Sequence, residues 1–215
     1  MQSFPLWIGG FIGFTCSVLT LLVFQLGLFS SLNFAISDTW FRLRPHQTML
    51  GQEIVLIGID NTTLRRYKWP LDRVLYTQLF RILEKQKPAA IGFNIVLSTL
   101  LSDPRSVHHD RELAQTIRKQ KNLVMPVYYD YHENAVTMEP SPLFRSRYLG
   151  NTATFPDHDG ITRHIEPLVE GKGRFYWPFG VELARIYLGL NPDEIKIKNQ
   201  TLFLGNHYKV PLKKE

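Results

Sequence analysis

The beginning of the chain differs sharply in polarity from the rest. Residues 2–37 contain no Lys, Arg, Asp or Glu, and residues 5–29 form a nearly continuous apolar run. At about 1.5 Å per residue, a helix over this run is roughly 35 Å long and crosses a bilayer with some tilt. The pattern therefore predicts one transmembrane helix at about residues 5–29, a short linker to residue 37, and a folded domain over residues 38–215.

A cleavable signal peptide is the alternative for this run, because Ala35-Ile36-Ser37 has the small-x-small form of a cleavage site. The lack of a basic n-region and the length of the run favour a retained helix. Three small residues, spaced four apart, share one face of that helix, which makes this face a candidate dimer contact. They are Gly9, Gly13 and Ser17.

Charge alone leaves the side of the membrane open. Arg42 and Arg44 closely follow the apolar run, and the positive-inside rule would place the following domain in the cytoplasm. Two residues are a small bias, however, and long domains translocate despite charge.

Beyond residue 50, short apolar runs alternate with amphipathic segments. The runs at residues 53–60, 89–97 and 122–128 each predict a buried strand. Helices are predicted between them at residues 72–86 and 110–119. This β-α-β-α-β order favours a mainly parallel sheet.

Periodicity also predicts which faces of these two helices are buried, and Asp72 is the expected cap of the first. The residues expected to point inward are Leu75, Leu79, Ile82 and Leu83 in the first helix and Leu113, Ala114 and Ile117 in the second.

The last third of the chain has shorter elements. Residues 150–155 and 162–169 predict a hairpin around a polar loop at residues 156–160. A helix is predicted at residues 177–188, with Pro178 near its first turn and Gly189 after its end. Short antiparallel strands are predicted at residues 195–197, 201–204 and 208–212. The fold class is therefore α/β: a mixed sheet with a parallel start, antiparallel C-terminal strands and flanking helices. The ending at Lys213-Lys214-Glu215 is expected to be a truncation within a longer protein.

Composition narrows the function classes. The net charge is +6, from 25 basic and 19 acidic residues, but no helix has a continuous basic stripe with interleaved aromatics, so nucleic-acid binding is not expected. Cys16 is the only cysteine, which excludes an intrachain disulfide.

Candidate polar chemistry lies at the end of the first predicted strand, where α/β sheets place functional residues. Two aspartates and two arginines are the candidates there: Asp60, Asp159, Arg73 and Arg163. We expect them to form either a ligand pocket or a buried Asp–Arg network that fixes the loops. Asp60 and Asp159 would be the carboxylate pair of a hydrolase if they lay within glycosidase-like range. No motif predicts a catalytic residue.

Metal binding is not predicted. Residues 157–160 (Asp-His-Asp-Gly) have part of a calcium-loop pattern but lack its third oxygen ligand, distal Glu and flanking helices, so we expect a turn. His108-His109-Asp110 has adjacent histidines that point in different directions, which favours a solvated helix start. No cofactor is expected.

Six segments in chain order resemble the second type of CHASE sensory domain (cyclase- and histidine-kinase-associated sensory extracellular). Residues 155–163 (Phe-Pro-Asp-His-Asp-Gly-Ile-Thr-Arg) are similar to that family's Pro-Asp-x-Asp-Gly-Val-x-Arg element. Residues 68–73 resemble its Gly-x-Trp-Pro-Trp-x-Arg element. The others are residues 38–45, 54–64, 89–97 and 110–114.

Two elements depart from the family pattern. Asn94 stands where the family has an aspartate in its second strand, so any role of that charge is lost here. Leu71 replaces the tryptophan after Trp69-Pro70, and Lys68 replaces a small or basic residue.

The resemblance implies an extracytoplasmic sensory module of a bacterial receptor in the inner (plasma) membrane. It implies an unidentified small-molecule or protein ligand, a homodimer, and a cytoplasmic cyclase, kinase or phosphatase output domain outside these residues. The candidate pocket or polar network is then Asp60, Trp69, Arg73, Asp157, Asp159 and Arg163. The alternatives are the membrane-tethered hydrolase and a structural assembly module.

Overall fold

The computed structural model describes residues 6–25, 28–43, 53–100, 104–157, 159–206 and 208–212. Two residues used in the sequence analysis lie outside these ranges. They are Arg44, used for the membrane orientation, and His158, part of the calcium-like loop. The chain forms two compact units, Met1–Ile59 and Asp60–Glu215.

The first unit contains two helices, α1 (Leu6–Gln25) and α2 (Leu28–Leu43). Trp7–Gln25 is long and apolar enough to cross a membrane, and none of that span is buried within the protein. The hydroxyls of Thr15, Ser17 and Thr20 donate to backbone carbonyls four residues earlier. These bonds satisfy polar groups that hydrocarbon could not.

Helix α2 replaces most of the predicted linker. It extends α-helix to Leu43, so Ala35-Ile36-Ser37 lies at helical positions. The sequence pattern did not reveal where one helix ends and the next begins. Apolar side chains continue at helical spacing past the predicted membrane span, so no second helix was recognised there.

The predicted first strand, residues 53–60, is wrong. Residues 54–60 belong to no strand, and the side chains of Val55 and Leu56 are 80% and 76% exposed. The predicted burial is wrong as well, because Ile54 and Ile57 are also more than half exposed. A strand needs a neighbouring backbone to hydrogen-bond, and the pattern of apolar residues does not show whether one is present.

The second unit is built around a four-stranded sheet. Its elements are α3 (Asn61–Arg66), α4 (Arg73–Gln86), β1 (Ile91–Gly92), α5 (Pro104–Lys119), β2 (Leu123–Asp130), β3 (Ala135–Met138) and β4 (Tyr148–Asn151). Strand β2 is central, with β1 and β4 parallel to it on its two sides. β3 pairs antiparallel with the last residues of β2. The predicted mixed α/β fold is confirmed, although β1 is much shorter than residues 89–97.

Helices α4 and α5 enclose the main core on one side of this sheet. The prediction for α5 is confirmed, because Leu113, Ala114 and Ile117 are at most 1% exposed. In α4 the predicted face is partly wrong: Phe80 is fully buried, whereas Ile82 is 58% exposed. Ile82 lies about 200° around the helix from Phe80, whose ring packs on Phe93 at 5.1 Å between centroids.

The remaining elements are β5 (Val169–Gly171), β6 (Arg174–Tyr176), α6 (Phe179–Tyr187), a 3₁₀ turn (Pro192–Glu194), β7 (Ile195–Lys198), β8 (Thr201–Leu204) and β9 (Tyr208–Pro211). The three C-terminal strands form an antiparallel sheet, as predicted. The predicted helix at residues 177–188 is confirmed as α6. Gly189 ends it with φ +67°, and the amides of Gly189 and Leu190 bond to Ile186 and Arg185 in a Schellman motif.

The predicted hairpin over residues 150–169 is wrong. The backbone of β4 bonds to β2 instead, and residues 159–168 belong to no strand. A hairpin does follow, between β5 and β6. Its two turn residues, Lys172 and Gly173, both have positive φ, which is the conformation of a tight type I′ turn.

Helix α6 covers the opposite face of the sheet through two glycines. A Cβ built on Gly150 would lie 2.6 Å from Cα of Phe179, and one on Gly92 would lie 2.8 Å from a methyl of Leu183. The absence of side chains at these positions allows the helix to approach β4 and β1 closely.

Candidate functional site

Asp60 is a helix cap in this structure. Its Oδ1 accepts hydrogen bonds from the backbone amide of Thr63 at 2.7 Å and from the Thr63 hydroxyl at 2.8 Å. These bonds hold the pKa of Asp60 below its ordinary value. The carboxylate therefore stabilises the start of α3 in its ionised form.

Arg73 is paired with Asp110, which was predicted to lie in a solvated helix start. That prediction is wrong, because α5 begins at Pro104 and Asp110 is buried. The Arg73 Nε donates to Asp110 Oδ1 at 3.1 Å, and its Nη2 donates to the carbonyl of Thr99 at the same distance. Its guanidinium also lies 5.5 Å from the ring centroid of Phe144. Both charged side chains are less than a tenth exposed, so this is a buried ion pair between α4 and α5.

The two residues flanking this pair extend the same contact. His109 Nδ1 lies 3.3 Å from Asp72 Oδ1, beside the cap of α4. His109 and Asp110 thus both face α4. Among the residues that the structure describes, no group of three or more His, Cys, Asp or Glu could hold a metal ion.

The loop after β4 is closed by Arg163. Its guanidinium donates to Asp157 Oδ2 at 3.0 Å and to both carboxylate oxygens of Asp159, at 3.0 and 2.8 Å. The hydrogen bonds from Arg163 lower the pKa of Asp159 to about 2. Gly160 makes the turn at φ +79°, and the amide of Asp157 bonds to the carbonyl of Ile161. The geometry is that of an arginine-clamped turn.

Trp69 contributes no buried contact to these arrangements. Its side chain is 58% exposed, and the peptide bond to Pro70 is cis. Leu71, which replaces the family's second tryptophan, is buried in the main core. The six predicted site residues therefore lie in separate local arrangements: a cap, a buried ion pair, a clamped loop and an exposed ring.

Asn151 is the polar residue that occupies the expected position for a site. It is the last residue of β4, at the carboxyl edge of the parallel strands, and it is 2% exposed. Its Oδ1 accepts from the backbone amides of Tyr129 at 3.3 Å and Ala153 at 3.1 Å. These bonds fix the orientation of the amide. The buried Nδ2 has no hydrogen-bond partner among the described residues.

Two buried tyrosine hydroxyls share this property. Those of Tyr131 and Tyr176 have no hydrogen-bond partner in the described part of the chain. Burial raises the pKa of Tyr131; the nearby Asn151 amide offsets part of that effect, and the charge of Glu166 adds to it. The Asn151 amide therefore lies near the Tyr131 hydroxyl.

Two aromatic rings pack against Tyr131. Tyr131 packs edge-on against Tyr129 at 5.1 Å and Phe155 at 5.7 Å between centroids. Phe155 is 52% exposed, so the group reaches solvent. We call Asn151, Tyr131, Phe155 and Tyr176 the carboxyl-edge cluster. It presents buried polar donors beside aromatic surface, which suits binding of a small polar molecule.

A shallow groove adjoins the cluster through Tyr129. It has a volume of about 440 Å³ and lies between β3 and the β5–β6 hairpin. Its walls are Tyr129, Asn134, Ala135, Val136, Glu170, Gly171, Lys172 and Gly173.

Sequence reasoning missed the carboxyl-edge cluster, although a signal for it was present. Tyr129-Asp130-Tyr131 directly follows the third predicted strand, and α/β sheets place functional residues at the carboxyl ends of their strands. The prediction applied this rule only to the first strand. Asn151 was assigned to a hairpin strand, which hid its position at the edge of the parallel strands.

Comparison with known proteins gives a family but no individual relative. A search of curated proteins and a search of solved structures each returned no significant match. The model of the CHASE2 domain matches residues 15–215, which is nearly the whole chain and begins within α1. CHASE2 domains are extracellular sensory parts of membrane receptors. The chain belongs to the CHASE2 domain family.

Proposed function

We propose that residues 38–215 are the extracytoplasmic input module of a bacterial receptor in the inner membrane. The module binds a small molecule at the carboxyl-edge cluster and passes the signal through α1 to a cytoplasmic cyclase, kinase or phosphatase domain. That output domain is outside these 215 residues. Family membership supports the sensory role, and the apolar α1 supports the membrane anchor.

The observation that carries the ligand proposal is the amide of Asn151. A buried polar group without a partner costs roughly 1–3 kcal/mol, so each one in a folded protein calls for an explanation, and we assign this one to a bound molecule. The Oδ1 bonds prevent the amide from rotating to find another partner. A ligand carbonyl or carboxylate oxygen would accept from Nδ2 and from the Tyr131 hydroxyl.

The hydrolase alternative is not favoured by electrostatics. A glycosidase acid needs a carboxyl with a raised pKa, whereas the pKa values of Asp60 and Asp159 are both lowered. Each carboxylate is already bonded within its own loop. The structural-assembly alternative predicts no small-molecule binding, so the same experiment tests it.

Thermal unfolding of the full chain in detergent micelles tests ligand binding. The probes are a fixed panel of amino acids, dicarboxylates, monosaccharides and nucleosides. We expect at least one to raise the unfolding temperature, because binding to the folded state alone stabilises it. Tyr131→Phe, which removes one hydroxyl, should reduce that shift, whereas Tyr128→Phe on the neighbouring exposed position should not. No shift with any probe would favour the assembly module, and equal shifts in both variants would exclude the cluster as the site.

Thiol labelling tests the side of the membrane. In a Cys16→Ser background, Lys196→Cys places a single thiol on the exposed strand β7. We expect a membrane-impermeant maleimide to label it in intact cells. Labelling only after lysis would place the domain in the cytoplasm and overturn the proposal, in agreement with the charge of Arg42.

The homodimer is also part of this proposal, with the face of Gly9, Gly13 and Ser17 as its candidate contact within the membrane. Among the described residues, a Cβ on Gly9 or Gly13 would meet nothing within 4 Å, which leaves room for a second helix at this face. Gly13→Leu should weaken association in a membrane two-hybrid assay, and unchanged association would remove this face from the dimer.

A further inference from the structure

Helix α2 has an apolar face that the described residues of the first unit leave uncovered. Leu32, Ile36 and Leu43 are 58%, 49% and 72% exposed, and Trp40 beside them is 69% exposed. Leu32, Ile36, Thr39 and Leu43 are separated by four, three and four residues. Alternating steps of four and three residues form the a/d seam of a coiled coil.

The surface of α2 also has the shape of such a seam. A groove of about 370 Å³ is lined by Ala35, Ile36, Thr39, Trp40 and Leu43. In a parallel two-stranded coiled coil, a side chain at position d inserts into a hole formed by four residues of the facing helix. For Thr39 as that inserting side chain, the hole consists of Ile36, Thr39, Trp40 and Leu43, which are four of the five residues that line the groove.

The polar residue of the seam is compatible with burial. The Thr39 hydroxyl donates to the carbonyl of Ala35 at 2.7 Å within its own helix. Its hydrogen-bonding need is therefore met, and its methyl group can face a partner. Ala35 precedes Trp40 by five residues, so in a parallel pair the small side chain of one helix lies beside the large ring of the other.

A lipid surface fits this helix less well than a second copy. A helix lying in the membrane interface has one apolar and one strongly polar face. The side of α2 opposite the seam contains Phe34 and Phe41 together with Ser37 and Asp38, and is not strongly polar.

We propose that Leu32, Ile36, Thr39 and Leu43 of α2 pack against the same residues of a second copy in parallel. Both copies of α1 would enter the membrane in the same direction, which fixes the parallel orientation and raises the effective concentration of the two seams. The contact follows the membrane span along the chain and includes the first residues of the input module. It rests on the proposed homodimer and states where the two chains meet outside the membrane.

Disulfide cross-linking in membranes tests the seam on the full chain. Single cysteines replace residues of α2 in a Cys16→Ser background: Ile36→Cys, Thr39→Cys and Leu43→Cys on the seam, with Ser37→Cys and Phe41→Cys as controls on the other side. A disulfide needs Cα atoms within about 7 Å, so we expect several-fold more cross-linked dimer from the seam positions. Thermal unfolding of each variant verifies that the domain is folded.

The outcomes separate the seam from the proposed homodimer. Equal yields around the helix, or highest yields at Ser37→Cys and Phe41→Cys, overturn the seam. If the wild-type chain is nevertheless dimeric by native mass spectrometry, the homodimer stands and its contact lies elsewhere, as at Gly9 and Gly13. A monomeric chain overturns both proposals. In a chain with the Thr39→Cys probe, Ile36→Asp should reduce cross-linking several-fold, whereas Ser37→Asp should not, because only the former buries a like-charge pair.

Discussion

Arg73 donates a hydrogen bond from Nε to Oδ1 of Asp110 at 3.1 Å, across the interface between α4 and α5. The contact is closed to solvent, since both side chains are less than a tenth exposed. A second bond from Arg73 to the carbonyl of Thr99 ties the segment after β1 to the same point. This arginine of the family-like Trp-Pro-x-x-Arg element thus organises the core of the sensory domain.

Replacing Arg73 with Met should strongly destabilise the folded domain. It removes the guanidinium that pairs with the buried Asp110 carboxylate, and breaking such a buried pair costs about 3–5 kcal/mol. Arg81→Met is the matched control on the same helix, because its bond to Glu112 lies between partly exposed side chains and contributes at most about 1 kcal/mol. Urea unfolding in micelles, followed by circular dichroism, gives both values, and a similarly small loss for the two variants would contradict the buried pair.

The clamp of Arg163 on Asp159 predicts a specific pH dependence. The folded-state pKa of Asp159 is about 2, against an ordinary value of 3.8. Because the folded pKa is depressed, the contribution of this carboxylate to stability is present above about pH 4 and is lost as the pH falls through 3.8 towards 2.

Carbon-13 NMR of the labelled carboxyl groups measures this titration directly. In Arg163→Gln the midpoint of Asp159 should rise towards 3.8, because the hydrogen bonds that lower it are removed. Asp60 serves as an internal control, since its pKa is lowered by bonds to Thr63 instead. If both carboxyls move together, the substitution has altered the fold, and an unmoved Asp159 would rule out the clamp.

Helix α4 gives a test of the face that periodicity predicted wrongly. Phe80→Ala should cost about 3–5 kcal/mol of unfolding free energy, because the ring is fully buried. Ile82→Ala should cost much less, since that side chain is 58% exposed. Chemical denaturation of both variants checks this, and the reverse order would restore the predicted face with Ile82 inward.

The buried face was predicted correctly for α5 but only partly for α4, and the reason lies in their side chains. Helix α5 has one unambiguous apolar face, so Leu113, Ala114 and Ile117 were identified as core. In α4 the aromatic residues decide the orientation. Tyr76 and Phe80 both contact Phe93 and turn the helix so that Ile82 points outward. That choice depends on a residue of another element, which periodicity within one helix does not contain.

The sequence could predict where in the fold a site would lie, but not which residues form it. Ligand sites at the carboxyl edge of parallel strands follow from general topology. The residues at that edge depend on which strands pair. Because residues 150–155 were predicted to pair with residues 162–169, Asn151 was assigned to a hairpin, whereas its strand pairs with β2. Asp60 was placed at the end of a strand that the sheet does not contain.

Gly150 and Gly92 both lie under α6, but a Cβ would meet backbone at the first and a side chain at the second. Gly150→Ala should destabilise the domain by roughly 1–3 kcal/mol, because its Cβ would lie 2.6 Å from the backbone of Phe179 and force the helix away from β4. Gly92→Ala should cost less, since the nearest atom there, at 2.8 Å, is a methyl of Leu183 that can change rotamer. Because β4 ends at Asn151, displacement of α6 should also disturb the Asn151 amide, visible as a shift of its side-chain NMR signal in Gly150→Ala but not in Gly92→Ala. Equal stability of the two variants would show that α6 does not pack on β4 through this close contact.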